Sequence, residues 1–246
     1  MEFILPNWSV PAHIHALTTT RSGGVSQAPF ESLNVGEHVN DDPLAVRQNR
    51  TLLQNALKLP NPPVYLTQTH STQVLTLPHQ AEQSLEADAV YTDQPNQVCL
   101  VMTADCLPAL FCSEDGTEIA AAHAGWRGLC DGVLEATAAK FRCLPHQIRV
   151  WLGPAIGATA FQVGQDVIGQ FCAVDPQANS AFVPDQCASG KFLGDLYQIA
   201  RQRLQRLGIT QISGGDYCTY TDSKRFFSYR RENMTGRMAT LIWRSE

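Results

Sequence analysis

The sequence predicts an α+β fold of mixed sheets, and three observations predict it. Strand-like and helix-like segments are interleaved without the strict alternation of a doubly wound sheet. A strong hairpin signal, Asp115-Gly116, lies between two apolar runs. Helical periodicity recurs along the chain and is clearest over 193–208.

Each element has its own reason. Residues 13–20, HIHALTTT, alternate apolar and polar as a half-buried strand does, and the Gly-rich 21–30 turns the chain. Asp42 is placed to cap a helix whose first turn accepts Pro43 and which Pro60, Pro62 and Pro63 stop. The run VYL over 64–66 reads as a strand leading into His70. ADAVYTD (87–93) and QVCLVMTADC (97–106) read as two strands joined by a Gln-Pro-Asn turn, and 108–125 as a hairpin. A helix over 129–143, a strand over 148–154 and a helix over 164–174 follow. In the helix after Gly194, residues Leu196, Ile199, Ala200, Arg203 and Leu204 share one face, with Gly208 placed to end it. Strands over 210–213 and 238–243 complete the series.

With 246 residues, 44% of them hydrophobic, the chain can bury a sizeable core, and no composition break marks a linker, so residues 1–246 are expected to form a single domain. A net charge of -5 leaves no electrostatic footprint for nucleic acid or an anionic membrane. No run of eighteen apolar residues exists, and MEFILPNWSVP has no basic n-region, so a cytoplasmic protein is expected. The eight cysteines, none in CxxC spacing, are expected as free thiols. Cys99 and Cys112 fall in apolar runs and Cys143 and Cys172 in helix-like segments, so all four are read as core.

Three residues stand apart. His70, Cys106 and His123 each follow a short apolar run, where a rigid sheet hands side chains to a cleft. Two imidazoles and a thiolate are also the ligand set of a catalytic zinc that keeps one position open. Spacing alone does not demand a metal, because no HxxxH or CxxC pair is present. Asp105 is the nearest carboxylate in sequence and the candidate general acid/base, although strand neighbours point to opposite faces. Gly125 and Gly128 bracket Trp126 and Arg127 just ahead of a helix, where free N–H groups favour an anion. GPAIG over 153–157 is a similar turn without a basic residue. Arg230 and Arg231, with Arg237 nearby, offer forked donors for phosphate or carboxylate.

These motifs, TQTHS, ADAVYTD, TADCLP, HAGWRG, GPAIG and SYRRENMTGR in this order, resemble the YfiH/laccase-domain family, as do the looser TTTRSGGVS, SLNVG and VRQNR. The resemblance spans essentially the whole chain. It implies a layered α-β-β-α sandwich, similar to certain deamidating toxins with a cysteine-histidine pair. By position it implies metal ligands His70, Cys106 and His123, a zinc cofactor, and purine nucleoside phosphorylase activity with adenosine deaminase activity. Nucleoside and inorganic phosphate would be the partners, with at least one of Arg127, Arg230 and Arg231 on phosphate. The name multicopper polyphenol oxidase is also attached to the family. Copper oxidases, however, need several ions and many histidines, and the only HxH pair among the seven histidines here is His13 with His15. A different reading makes Cys106 a nucleophile with His123 as its base, a metal-free amidase or thiol hydrolase, which would accord with the link of some members to cell-wall precursor editing.

Overall fold

A computed structural model describes residues 1–245. In chain order the strands are β1 (Phe3–Ile4), β2 (Ile14–Thr19), β3 (Val74–Thr76), β4 (Ala89–Thr92), β5 (Val98–Thr103), β6 (Leu107–Ser113), β7 (Ile119–Ala124), β8 (Ile148–Leu152), β9 (Gln162–Val163), β10 (Phe182–Pro184), β11 (Phe192–Gly194), β12 (Gln211–Gly214) and β13 (Met238–Arg244). The α-helices are α1 (Pro43–Leu57), α2 (Trp126–Asp131), α3 (Val133–Ala138), α4 (Gln165–Val174), α5 (Leu196–Arg206) and the single turn α6 (Tyr229–Glu232).

Period-2 burial sorts these elements into four layers. One antiparallel sheet has the order β1-β2-β13-β5, and a mixed sheet has the order β12-β8-β6-β7-β4-β3 with parallel pairs at both edges. Along β5, Val98, Leu100 and Met102 face α1 and its Leu53, while Cys99 and Val101 face the mixed sheet. Along β6, Leu110 and Cys112 face β5 and β13, while Leu107, Ala109 and Phe111 face the helices α2 to α5. Each strand thus supplies two cores, which is why β5 and β6 are apolar at nearly every position. The layer order is helix, sheet, sheet, helix, the sandwich that the resemblance implied. A three-stranded ribbon, β10-β11-β9, sits to one side.

Local chemistry fixes the ends as expected at several points. Asp42 accepts from the Leu44 amide at the start of α1, Pro43 follows it, and Lys58 closes the helix in a left-handed conformation. The hairpin β6–β7 turns at Gly116, with φ 72°. All five residues of the expected α5 face are buried, and Arg203 is buried because it pairs with Glu135 at 2.7 Å.

Other expectations need correction. VYL forms no strand: residues 64–70 are an irregular loop with one bridge from Thr67 to Glu86, and His70 sits at φ 63°. The strands β4 and β5 do form on either side of the expected turn, although they belong to different sheets. The helix expected over 129–143 begins at Trp126 and breaks at Gly132, φ 105°, into α2 and α3, ending at Ala138. Cys143 therefore lies in a loop, and it and Cys172 are half-buried against the core, whereas Cys99 and Cys112 are fully buried. The strands β1, β3, β9, β10 and β11 are too short for periodicity to reveal.

Candidate active site

The site lies where the two sheets exchange the chain. Only residues 104–106 separate β5, in the four-stranded sheet, from β6, in the six-stranded one. Such a short step needs unusual backbone, and Asp105 supplies it at φ 85°. Cys106 follows in that step. His123 is the last residue but one of β7, on the face that looks toward the four-stranded sheet. His70 arrives from the 64–72 loop, which is held in two ways. The Gln68 carboxamide donates to the Met102 carbonyl and accepts from the Met102 amide, both at 2.7 Å, so it pairs with edge strand β5 as a backbone would. The Asp88 carboxylate takes the other end of the loop.

Asp88 was not singled out from the sequence, and it is the organising group of the site. It is fully buried and accepts from the amides of Thr69, His70 and Ser71, from the Ser71 hydroxyl and from His123 Nδ1 at 2.8 Å. Burial alone would raise its pKa. The hydrogen bond and charge of His123, with the bonds of Ser71, outweigh that and hold the carboxyl down at about 2. One carboxylate thus shapes the loop that carries His70 and fixes His123 with Nδ1 toward it. Nε2 is left for the cavity. Asp88 lies in the ADAVYTD motif, but the sequence marked that segment only as a strand.

The ligand-competent atoms of His70, Cys106 and His123 lie within 4.8 Å of one another, the metal-competent group found among the described residues. Cys106 Sγ is 3.8 Å from His70 Nε2, close to the roughly 3.5 Å that separates two arms of a tetrahedral zinc. The two imidazoles meet edge to face at 4.9 Å. Burial would raise the Cys106 thiol, but the His123 charge and hydrogen bonds from both imidazoles bring it well below its ordinary value. His123 moves the opposite way: burial lowers it, and the Cys106 thiolate and Asp88 raise it further. Gly125 completes the cluster by leaving room. A Cβ there would stand 2.5 Å from His70 Cδ2 and 3.0 Å from Cys106 Sγ.

The cluster opens into a cavity of about 540 Å³ walled by Trp126, Ile156, Phe161 and Tyr229, with His38, Arg127, Arg230 and Arg237 on its polar side. The other sequence candidates take distinct places. The Asp105 carboxylate lines this cavity but is committed to Thr219 Oγ1, Ser228 Oγ and the Arg230 amide, at 2.6, 3.0 and 2.7 Å. Arg127 is exposed and stacks on Trp126. Arg230 reaches the cavity and donates to the Gln162 carbonyl. Arg231 does not line the cavity, and its guanidinium donates to the carbonyls of Thr219, Tyr220 and Phe226 and to Glu232. Within GPAIG, Ile156 lines the cavity. His38 had no motif to mark it.

No helix among the described residues is long and apolar enough to cross a membrane. Over residues 15–245 the chain matches the model of the family described as multi-copper polyphenol oxidoreductase laccase. It is 60% identical over 243 residues, 99% of each chain, to a Haemophilus influenzae protein named purine nucleoside phosphorylase. It is 52% identical over 242 residues, 98% of each chain, to the Escherichia coli protein named purine nucleoside phosphorylase YfiH. A crystal structure from Neisseria meningitidis superposes with a TM-score of 0.94 at 49% identity, covering 100% of both chains. With the fold and nearly the full length matched, the chain belongs to the multi-copper polyphenol oxidoreductase laccase family, among relatives named purine nucleoside phosphorylases of the YfiH type.

Proposed function

We propose that this chain is a zinc-dependent purine nucleoside phosphorylase with adenosine deamination as a side activity, its residues 1–246 acting as one catalytic domain. One observation carries the reading: the His70–Cys106–His123 cluster and several guanidinium groups share a single nucleoside-sized cavity. The donor set suits zinc, because the thiol is acidified and His123 presents Nε2 while Asp88 occupies Nδ1. Bound zinc would supply Lewis acidity at the cavity wall.

The protein's own groups account for the rest. Trp126, Phe161 and Tyr229 offer flat apolar faces to a purine. Phosphorolysis brings an anion to C1′ of the ribose while the base departs through a transition state of oxocarbenium character. Positioning that anion converts an encounter into a local event. Guanidinium groups on the cavity wall attract it in a chain of net charge -5 that would otherwise repel it. Asp105 acts as a positioning residue, since its oxygens hold the segments that carry Thr219 and Arg230.

Adenosine should give adenine and ribose 1-phosphate only when phosphate is supplied, with some inosine, and the protein as purified should carry close to one zinc that Cys106→Ala loses. Base release at equal rate without phosphate would replace phosphorolysis by hydrolysis. Elemental analysis would also distinguish zinc from copper, for which a single His2Cys site would serve electron transfer and not four-electron oxygen reduction.

A second reading has its own observation. Asp88, His123 and an acidified Cys106 form the series acid, base and nucleophile of a thiol hydrolase or amidase. Such an enzyme would keep its activity after chelation, and the zinc enzyme would lose it.

A further inference from the structure

We propose that Arg237, with His38 beside it, forms the anion subsite that seats inorganic phosphate in the cavity that takes the nucleoside. This inference rests on the phosphorolytic reading and names where its co-substrate binds.

Arg237 immediately precedes β13, whose register sets Met238 against Thr103, so the fold places Arg237 beside the 104–106 step that carries Cys106. Asn34 Oδ1 accepts from the Arg237 amide at 2.9 Å and fixes its backbone. Gly36 makes room for its stem, since a Cβ there would stand 2.8 Å from Arg237 Cγ. The chain thus goes to some length to hold this side chain in one place.

The guanidinium so held is undercompensated. It is half-buried, Nη1 donates to the carbonyls of Thr235 and Gly236, and Nε and Nη2 take no protein partner among the described residues. No carboxylate lies at ion-pair distance among those residues. The anionic groups that face it from further off are Cys106, itself in the metal cluster, and Asp105, whose oxygens are already taken by Thr219, Ser228 and the Arg230 amide. Arg21, Arg203, Arg225 and Arg231, by contrast, each pair with a carboxylate. A half-buried guanidinium that meets only two carbonyls and, at 5.9 Å, the Tyr229 ring keeps donors for an anionic ligand. His38 adds a ring nitrogen to the same wall and is held toward its neutral form, by burial first and then by the charges of Arg237, His123 and Arg50. A neutral imidazole can still donate one N–H to a phosphate oxygen.

A second cavity of about 300 Å³ shares His38, Tyr229 and Arg237 with the first and is otherwise walled by Val39, Asn40 and the 233–235 turn. Arg237 is therefore approached from two sides. Trp126, Ile156 and Phe161 line only the larger space, and Asn40, Asn233 and Thr235 are among the residues that line only the smaller.

The test compares the zinc-loaded wild type with Arg237→Met and Arg237→Lys, both of which keep the aliphatic stem. Inorganic phosphate is titrated by calorimetry without nucleoside, and the phosphate and adenosine KM values are measured separately. Zinc content and thermal midpoint serve as folding controls. The expected result is phosphate binding weakened roughly ten- to a hundredfold in Arg237→Met, the range for loss of hydrogen bonds to a charged group, with partial recovery in Arg237→Lys. The adenosine KM should move less than threefold. A His38→Asn variant should show a smaller loss in the same direction. Wild-type phosphate dependence together with an unchanged phosphate KM in Arg237→Met overturns the subsite and leaves phosphorolysis standing. Phosphate binding that Arg237→Met abolishes, in an enzyme whose base release ignores phosphate, supports the subsite and removes the phosphorolytic reading. Failure of the wild type to bind phosphate at millimolar concentration overturns the subsite.

Discussion

At the level of single residues, the site depends on two that carry no chemistry of their own. Gly125 has no Cβ because one would fall between His70 and Cys106. Gly125→Ala should lower stability by about 1–3 kcal/mol and displace His70, the overpacking cost felt where backbone and ligand meet. Zinc stoichiometry after dialysis should fall well below that of the wild type while far-UV circular dichroism is unchanged. Asp88 has a larger reach, since one carboxylate serves three amides, a hydroxyl and His123. Asparagine offers one acceptor where two are in use, so Asp88→Asn should weaken zinc binding roughly ten- to a hundredfold in a chelator competition. The same substitution makes a pH prediction for the metal-free protein. The folded carboxyl titrates near 2, below its ordinary value of 3.8. The unfolded chain therefore binds the proton first, and the stability from Asp88 is present above about pH 4 and lost as pH falls toward 2. That contribution is about 2 kcal/mol, from the depth of the shift. Denaturant midpoints measured across this window should fall less steeply for Asp88→Asn than for the wild type.

At the level of elements, the sequence was most legible where one physical rule acted alone. Asp42 and Pro43 announced α1, Asp115-Gly116 announced the β6–β7 turn, and the five residues read as the apolar face of α5 are all buried, with Tyr197 added to them. The reading failed where tertiary contacts override local pattern. The 64–70 loop looks like a strand because it lies along an edge strand, but Gln68 makes the pairing with its side chain. The α2–α3 break rests on Gly132 at φ 105°, a conformation that the letter Gly permits without announcing. The candidate site divides in the same way. The three candidate ligands were marked by residue type and by the apolar runs before them, whereas the roles of Asp88 and His38 and the places of the arginines depend on which loops meet. Gln68→Ala should test the loop. It removes two hydrogen bonds at a cost of about 1–3 kcal/mol and leaves the Met102 amide without a partner on that edge. Hydrogen exchange at Met102 should quicken, and zinc should leave faster, with the sheets otherwise protected as before.

At the level of the whole molecule, the site is a property of the seam between two sheets. Cys106 belongs to the step from one sheet to the other, His123 to the second sheet, and His70 to a loop anchored on both through Met102 and Asp88. The relative placement of the sheets is therefore also the placement of the three candidate ligands. Two adjacent residues of β6 separate this effect from stability in general. Leu110 is fully buried between the sheets, and Phe111, also fully buried, faces the helices. Truncation to alanine should cost about 2–5 kcal/mol at Leu110 and about 3–5 kcal/mol at Phe111, which urea unfolding would measure. The consequences for the metal should differ. A cavity at Leu110 lets the four-stranded sheet settle toward the six-stranded one and carries Cys106 with it relative to His123, so zinc affinity should fall. A cavity at Phe111 lets the helices settle and leaves the seam alone, so affinity should stay within about threefold of the wild type. Equal losses of affinity in the two variants would mean that the ligands follow overall stability and that the seam has no special part in holding them.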